Sequence, residues 1–189
     1  LAEDRIPRAV GVGLDVDGTG ALGNGEDLSV AELSIRADLK MATLTAAAID
    51  KAVLAAADDG LRGKDYLVIR ETSVTVEAGG DGLKSDNEED TGRGYVLIES
   101  GSIQVTSGGD AVDAASDALV TGGELSLVTG GGSGAALDET VSAKGIKGRI
   151  NVNIDGGTIG INAADDAIHS NGSLMVNAGS LTLASGDDG

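Results

Sequence analysis

The sequence has no cysteine, no phenylalanine and no tryptophan, and only one proline and two tyrosines in 189 residues. Without cysteine there is neither a disulfide frame nor a thiolate metal site, and the absence fits either redox compartment. Without large aromatics, a core of ordinary size has to be built from Val, Ile, Leu and Ala in close, regular layers. The same shortage leaves no evident platform for stacking neutral sugar faces or single-stranded bases. Basic residues are also scarce: 13 Lys and Arg stand against 31 Asp and Glu, a formal charge of −18. That balance excludes an electrostatic hold on nucleic acid or on an anionic membrane and favours a cationic partner. No apolar run approaches the roughly 20 residues of a membrane span, so membrane insertion is not expected. The first residues lack the basic and apolar regions of a signal peptide, and the chain reads as a mature or trimmed product.

Glycine, by contrast, is abundant at 31 residues, without the three-residue period of collagen. Its use becomes visible in a repeated phrase. ADDAIHS (164–170) is echoed by ADDGLRG (57–63), GGDGLKS (79–85) and the closing GDDG (186–189). Aligned on the small residue after the acid, the repeats fall at Gly60, Gly82, Ala111, Gly145, Ala167 and Gly189, at intervals of 22, 29, 34, 22 and 22. A unit of 22 residues with insertions of 7 and 12 accounts for all five intervals. The insertions fall within NEEDTGRG (87–94) and GGGSGAALDETV (130–141), both expected as surface loops at a corner.

With the insertions set aside, apolar residues fall into columns. One reads Leu61, Leu83, Val112, Ile146, Ile168; another Leu67, Val96, Ala118, Val152, Leu174, followed two residues later by Ile69, Ile98, Val120, Ile154, Val176. The last pair is Val74, Ile103, Leu125, Ile159, Leu181 with Val76, Val105, Leu127, Ile161, Leu183. Spacing by two is the alternation of strands with one buried face. Three short strands per 22 residues describe one coil of a solenoid in which equivalent positions stack about 4.8 Å apart. The expected fold is all-β, a right-handed parallel β-helix over 57–189, with the pairs Gly122-Gly123, Gly156-Gly157 and Ala178-Gly179 supplying positive φ at corners. Residues 1–56 are read as an N-terminal cap or divergent coils: DLKMATLT (38–45) suggests a worn strand pair, and AAAIDKAVLAAA (46–57) suits a helix. The closing GDDG begins another unit, so the solenoid is expected to continue or to have been trimmed there.

Stacking turns the repeated acids into a surface. The acid column is Asp59, Asp81, Asp110, Lys144, Asp166, Asp188, with second carboxylates at Asp58, Asp165 and Asp187. Carboxylates about 5 Å apart repel unless a cation intervenes. Oxygen donors, no Cys and one His favour Ca²⁺. One candidate site joins Asp81 with Asp110 and Asp113 of the next coil, with Asp86 at the rim and Asp59 a coil earlier; a second uses Asp165, Asp166, Asp187 and Asp188. Acids in solenoid turns also serve simply to cap backbone N–H groups. Three residues beyond each acid runs an outward column of Arg62, Lys84, Asp113, Lys147 and His169. Its cations either neutralise the acids or line a groove that meets the carboxylates of an acidic polymer. His169, the sole histidine, has no Ser or Cys partner in a nucleophile motif.

The phrases DDGLRGKDYLVI (58–69), GGDGLKSDNEED (79–90), AKGIKG (143–148) and DDAIHSNGSL (165–174) resemble a secreted bacterial carbohydrate-binding β-helix family, once a domain of unknown function, whose characterised members bind polygalacturonate and calcium. The resemblance covers about 57–189 and implies an extracellular, non-catalytic, calcium-dependent module for acidic polysaccharide. That family is similar in fold to family 9 pectate lyases, in which calcium held by aspartates acidifies a uronate proton. By that likeness Asp81, Asp110 and Asp113 match the metal-binding acids, and Lys84 or Arg62 the base. This sequence departs from the lyase pattern, since its paired acids and third acid are split among repeats. A third reading is structural, with β-helix ends stacking into a fibre or surface layer.

Overall fold

A computed structural model describes residues 28–30, 41–45 and 51–189, apart from 91 and 139. Its strands, in chain order, are β1 (Leu28–Val30), β2 (Met41–Thr45) and β3 (Lys51–Ala56), followed by five coils of three. The coils are β4 (Leu61–Arg62), β5 (Tyr66–Arg70), β6 (Thr72–Ala78); β7 (Leu83–Ser85), β8 (Tyr95–Ile98), β9 (Gly101–Ser107); β10 (Val112–Ala114), β11 (Asp117–Val120), β12 (Glu124–Thr129); β13 (Ile146–Gly148), β14 (Asn151–Ile154), β15 (Thr158–Ala163); and β16 (Ile168–Ser170), β17 (Ser173–Val176), β18 (Ser180–Ser185). Among the described residues there is no helix.

Every strand pairs in parallel with its equivalent one coil away, giving sheets of seven, five and six strands. The register matches the columns read from the sequence: Leu61 faces Leu83, then Val112, Ile146 and Ile168. Ile69, Ile98, Val120, Ile154 and Val176 are likewise successive partners. The protein is therefore a parallel β-helix. Inward members of the ladders are almost wholly buried, and each Leu or Ile sealed there contributes about 1.5–3 kcal/mol by leaving water. In the final coil the equivalent residues lie open, with Val176 50% exposed and Leu174 47%. A stack of coils without Phe or Trp works because β-branched and Leu side chains fill a narrow interior by repeating in register.

Gly123, Gly157 and Gly179 have φ of 99°, 94° and 111°, as their corner role requires, and Gly101 (116°) holds the same corner one coil earlier. The helix suggested for 46–57 is not formed: 51–56 is strand β3, and 46–50 lie outside the described residues. Helix propensity of an Ala-rich run amounts to tenths of a kcal/mol per residue, less than the six-residue parallel pairing of β3 with β6 supplies. Strand β2 occupies the end of DLKMATLT and pairs with β5, while 38–40 and any cap over 1–27 or 31–40 lie outside the described residues.

The five-stranded sheet is the narrowest, with strands of two or three residues, and it carries the charged columns. Both insertions leave the solenoid at its edges. Residues 86–94 lie between β7 and β8, at the edge toward the six-stranded sheet. Residues 130–145 lie between β12 and β13, at the edge toward the seven-stranded sheet.

Candidate functional site

The acid column sits at the corner where the chain enters the five-stranded sheet. There each carboxylate first answers a backbone need. Asp59 Oδ1 accepts the N–H of Asp81 (3.0 Å), Asp81 Oδ1 that of Asp110 (2.8 Å), and Asp110 Oδ1 that of Lys144 (2.8 Å). Asp110, 1% exposed, also accepts from the Ser142 hydroxyl at the end of the longer loop (2.7 Å). Lys144 breaks the column, because it takes a bond from the coil before and has no carboxylate to offer the coil after. Asp166 N–H turns instead to Asp165 Oδ1 (2.9 Å), and the ladder resumes with Asp188 N–H on Asp166 Oδ1 (3.3 Å).

The second oxygens face the outward column. Asp113 stands in register between Lys84 and Lys147. The Lys84 ammonium lies 2.5 Å from Asp81 Oδ2, 3.3 Å from Asp59 and 3.7 Å from Asp113 Oδ2. Lys147 lies 2.8 Å from Asp110 Oδ2 and 3.1 Å from Asp113 Oδ1. Burial works against both ammonium ions, but the hydrogen bonds to Asp81 and Asp110 and the surrounding carboxylates outweigh it and raise both pKa values above the ordinary lysine value. Asp113 is pushed up from its ordinary value, chiefly by burial and then by the charges of Asp81 and Asp110, against the pull of Lys147.

A second group gathers around Lys144, whose ammonium lies 2.8 Å from Asp165 and 2.7 Å from Asp166. His169 Nδ1 is 2.8 Å from the same Asp166 oxygen, and its Nε2 is 3.0 Å from Asn171 Oδ1. Burial raises the Asp166 pKa, but the bond from Lys144 and its charge dominate and leave it below the ordinary carboxylate value. Arg62, the register partner of Lys84, pairs with Asp86 on the edge toward the six-stranded sheet and also feels the charge of Asp59.

The structure thus brings together Asp59, Asp81, Asp110 and Asp113 with Lys84 and Lys147, and separately Asp165, Asp166 and Asp187 with His169. Two trios, Asp81–Asp110–Asp113 and Asp165–Asp166–Asp187, offer carboxylate oxygens within 4.8 Å of one another. Their hard donors fit calcium chemically, although lysine ammonium ions already stand against the same oxygens.

Sequence reading missed three features. Lys144 registers there only as a gap in the acid column, yet it neutralises the second group. Asp65 accepts from Asn87 Nδ2 (2.6 Å) and Arg93 (2.7 Å), which pins the shorter loop, and Glu88 of that loop reaches Arg149 at 2.6 Å. The two tyrosines, Tyr66 and Tyr95, are register partners with rings stacked at 5.4 Å. Each stands one residue before a core column, and that shared offset was the available signal.

A family model described as a carbohydrate-binding domain-containing protein matches residues 32–189. No curated protein and no solved structure matches the chain.

Proposed function

The chain belongs to the carbohydrate-binding domain-containing family, and from that premise we propose that it binds an acidic polysaccharide of the polygalacturonate or pectin type, outside the cell, with the assistance of calcium and without catalysis. The observation that carries this reading is the charged face of the five-stranded sheet. Lys84, Asp113, Lys147 and His169 stand in register there, one per coil, and both inserted loops leave the solenoid at the edges of this sheet. Insertions on a solenoid tend to gather around its binding face. A polymer lying along the axis meets cations at Lys84 and Lys147 for its carboxylates, and between them the carboxylate oxygens of Asp113 for a cation shared with it. The Asp81–Asp110–Asp113 trio would hold calcium, whose contribution is to bridge protein and polymer carboxylates.

The non-catalytic reading is supported by the state of the candidate bases. A base must be neutral to take a proton. Lys84 is held charged among three carboxylates, and the hydrogen bond that Arg62 donates to Asp86 keeps the Arg62 pKa above its ordinary value. Affinity electrophoresis through gels containing polygalacturonate tests the function. Retardation that chelator relieves, with no unsaturated uronide absorbance on mixing, is the expected result. Free migration at all calcium levels would refute it.

A further inference from the structure

The oxygens of the first trio are all engaged, but not alike. Asp81 Oδ1 and Asp110 Oδ1 face inward along the wall and accept the amides of the following coil, at 2.8 Å in both cases. Asp81 Oδ2, Asp110 Oδ2 and both oxygens of Asp113 face the two ammonium ions instead. The first set holds the fold. The second is held only by side-chain ends on flexible four-carbon stems, 22% exposed for Lys84 and 30% for Lys147.

Two cations cannot share these oxygens cheaply. Like charges a few ångströms apart near a protein surface repel strongly, and a divalent ion doubles the repulsion. Whichever cation takes the outward oxygens, the other is pushed off. We propose that Lys84 and Lys147 are tethered competitors for the divalent cation. With the ammonium ions seated, the trio is neutralised from within. When a divalent cation holds the trio, both lysines are released from the centre of the strand face and become available to carboxylates of the polymer. The inference rests on the calcium-assisted reading above and adds a direction to it, since cation and polymer then each strengthen the binding of the other. Coupling between two sites of one protein typically amounts to a factor of about 5–150, and it is reciprocal.

The geometry also explains why lysine recurs beside an acidic ladder. Four carboxylates, Asp59, Asp81, Asp110 and Asp113, surround two ammonium ions, so −4 + 2 leaves a local charge of −2. The site is stable enough to fold with its own cations and still attractive to an external one. An arrangement built only for folding would gain from a closer balance, and one built only for a resident metal would place no ammonium against its donors.

Amine labelling tests this on the unmodified protein. Acylation rates of individual lysines are followed by peptide mass spectrometry with and without calcium, with exposed Lys64 as internal reference, and calcium binding is measured in parallel by calorimetry. The expected result is a several-fold faster acylation of Lys84 and Lys147 at saturating calcium, with Lys64 unchanged. A Lys84→Gln variant is expected to bind calcium more tightly and polygalacturonate more weakly than wild type. Calcium heat with unchanged or slower labelling of the two lysines overturns the exchange and leaves calcium-assisted binding standing. Absence of calcium heat in wild type and variant alike overturns the calcium reading and the exchange together.

Discussion

The backbone N–H of Lys144 donates to Asp110 Oδ1 at 2.8 Å, the same bond that Asp110 makes to Asp81 one coil earlier. The acid column is therefore part of the wall before it is part of any site. Asp110→Ala removes acceptors for Lys144 N–H and Ser142 and strands the Lys147 ammonium against one remaining acid, Asp113. Loss of one partner from a buried pair costs about 3–5 kcal/mol. Asp110→Asn keeps the Oδ1 acceptor for Lys144 N–H and Ser142 but gives up the charge and the Oδ2 acceptor of Lys147, so a smaller loss of roughly 1–3 kcal/mol is expected. Denaturant midpoints of the two variants check the order. Equal losses would show that the backbone bond contributes little.

The lysines set the alkaline limit of the fold. Lys84, Lys144 and Lys147 all have pKa values raised above 10.5, in each case despite burial and because of paired aspartates. A cation whose folded pKa exceeds its unfolded one stabilises fully below the unfolded value and loses that contribution as pH rises through the folded value. Stability should hold to about pH 10 and then fall steeply. Tyr95, raised by burial beside Tyr66, pulls in the same direction. On the acid side the effects oppose. Asp166, lowered, loses its contribution as pH falls below 3.8, whereas Asp113, raised, is relieved by protonation. Thermal melts from pH 3 to 12 should show a shallow acid arm and a steep alkaline one, the latter blunted in Lys84→Gln.

The columns of the core were legible because solenoid register is a property of sequence spacing alone: once the 22-residue unit was aligned, Leu61, Leu83 and Val112 had to be neighbours. The acid groups followed from the same alignment, since Asp81, Asp110 and Asp113 lie three residues or one coil apart. What the alignment could not give was the direction of side chains. That Asp113 would be shared by two lysines, or that Lys144 would swing onto Asp165 and Asp166, depends on rotamers of long chains at a corner. The helix expected over 46–57 failed for a different reason. Local propensity there takes no account of the pairing partner β6, and the alternation around Leu54, 1% exposed, is too short to stand out in a run of alanines.

One column also provides a paired test of packing. Ile154 is wholly buried and Val176, its register partner in the last coil, is 50% exposed. Ile154→Ala should cost about 2–5 kcal/mol, the range for a sealed aliphatic. Val176→Ala should cost under about 1 kcal/mol if that end is open in solution. A cost at Val176 near that at Ile154, measured by denaturation at several protein concentrations, would mean that something covers the last coil.

Corner chemistry makes a sharper pair. Gly101 sits at φ 116°, and a Cβ there would overlap the Thr72 carbonyl oxygen. Gly101→Ala should cost at least about 2 kcal/mol, combining conformational strain with the clash. Glu71 is the one non-glycine residue with positive φ, at 54°, among the described residues, and its N–H donates to Ser100 Oγ at 3.0 Å. Glu71→Gly keeps that bond and removes the left-handed strain, so a gain of up to about 1 kcal/mol is expected. A loss on Glu71→Gly in thermal melts would show that its side chain contributes more than the strain costs.

Calcium linkage gives the last test, because exchange and simple site filling differ in how stability responds to the metal. Any ion that binds only the folded state stabilises it by RT ln(1 + [L]/Kd), about 0.4 kcal/mol at Kd and 2.7 kcal/mol at 100 times Kd. If the ion must first displace Lys84 and Lys147, its apparent Kd is weak, and millimolar calcium alone should move the melting temperature little. Polygalacturonate engages the released ammonium ions and lowers that Kd, so the same calcium should raise the melting temperature clearly once the polymer is present. Melting curves across a calcium series, with and without oligogalacturonate, separate the cases: a large shift with calcium alone and no further shift with polymer would point to a preformed metal site in which the lysines stand aside.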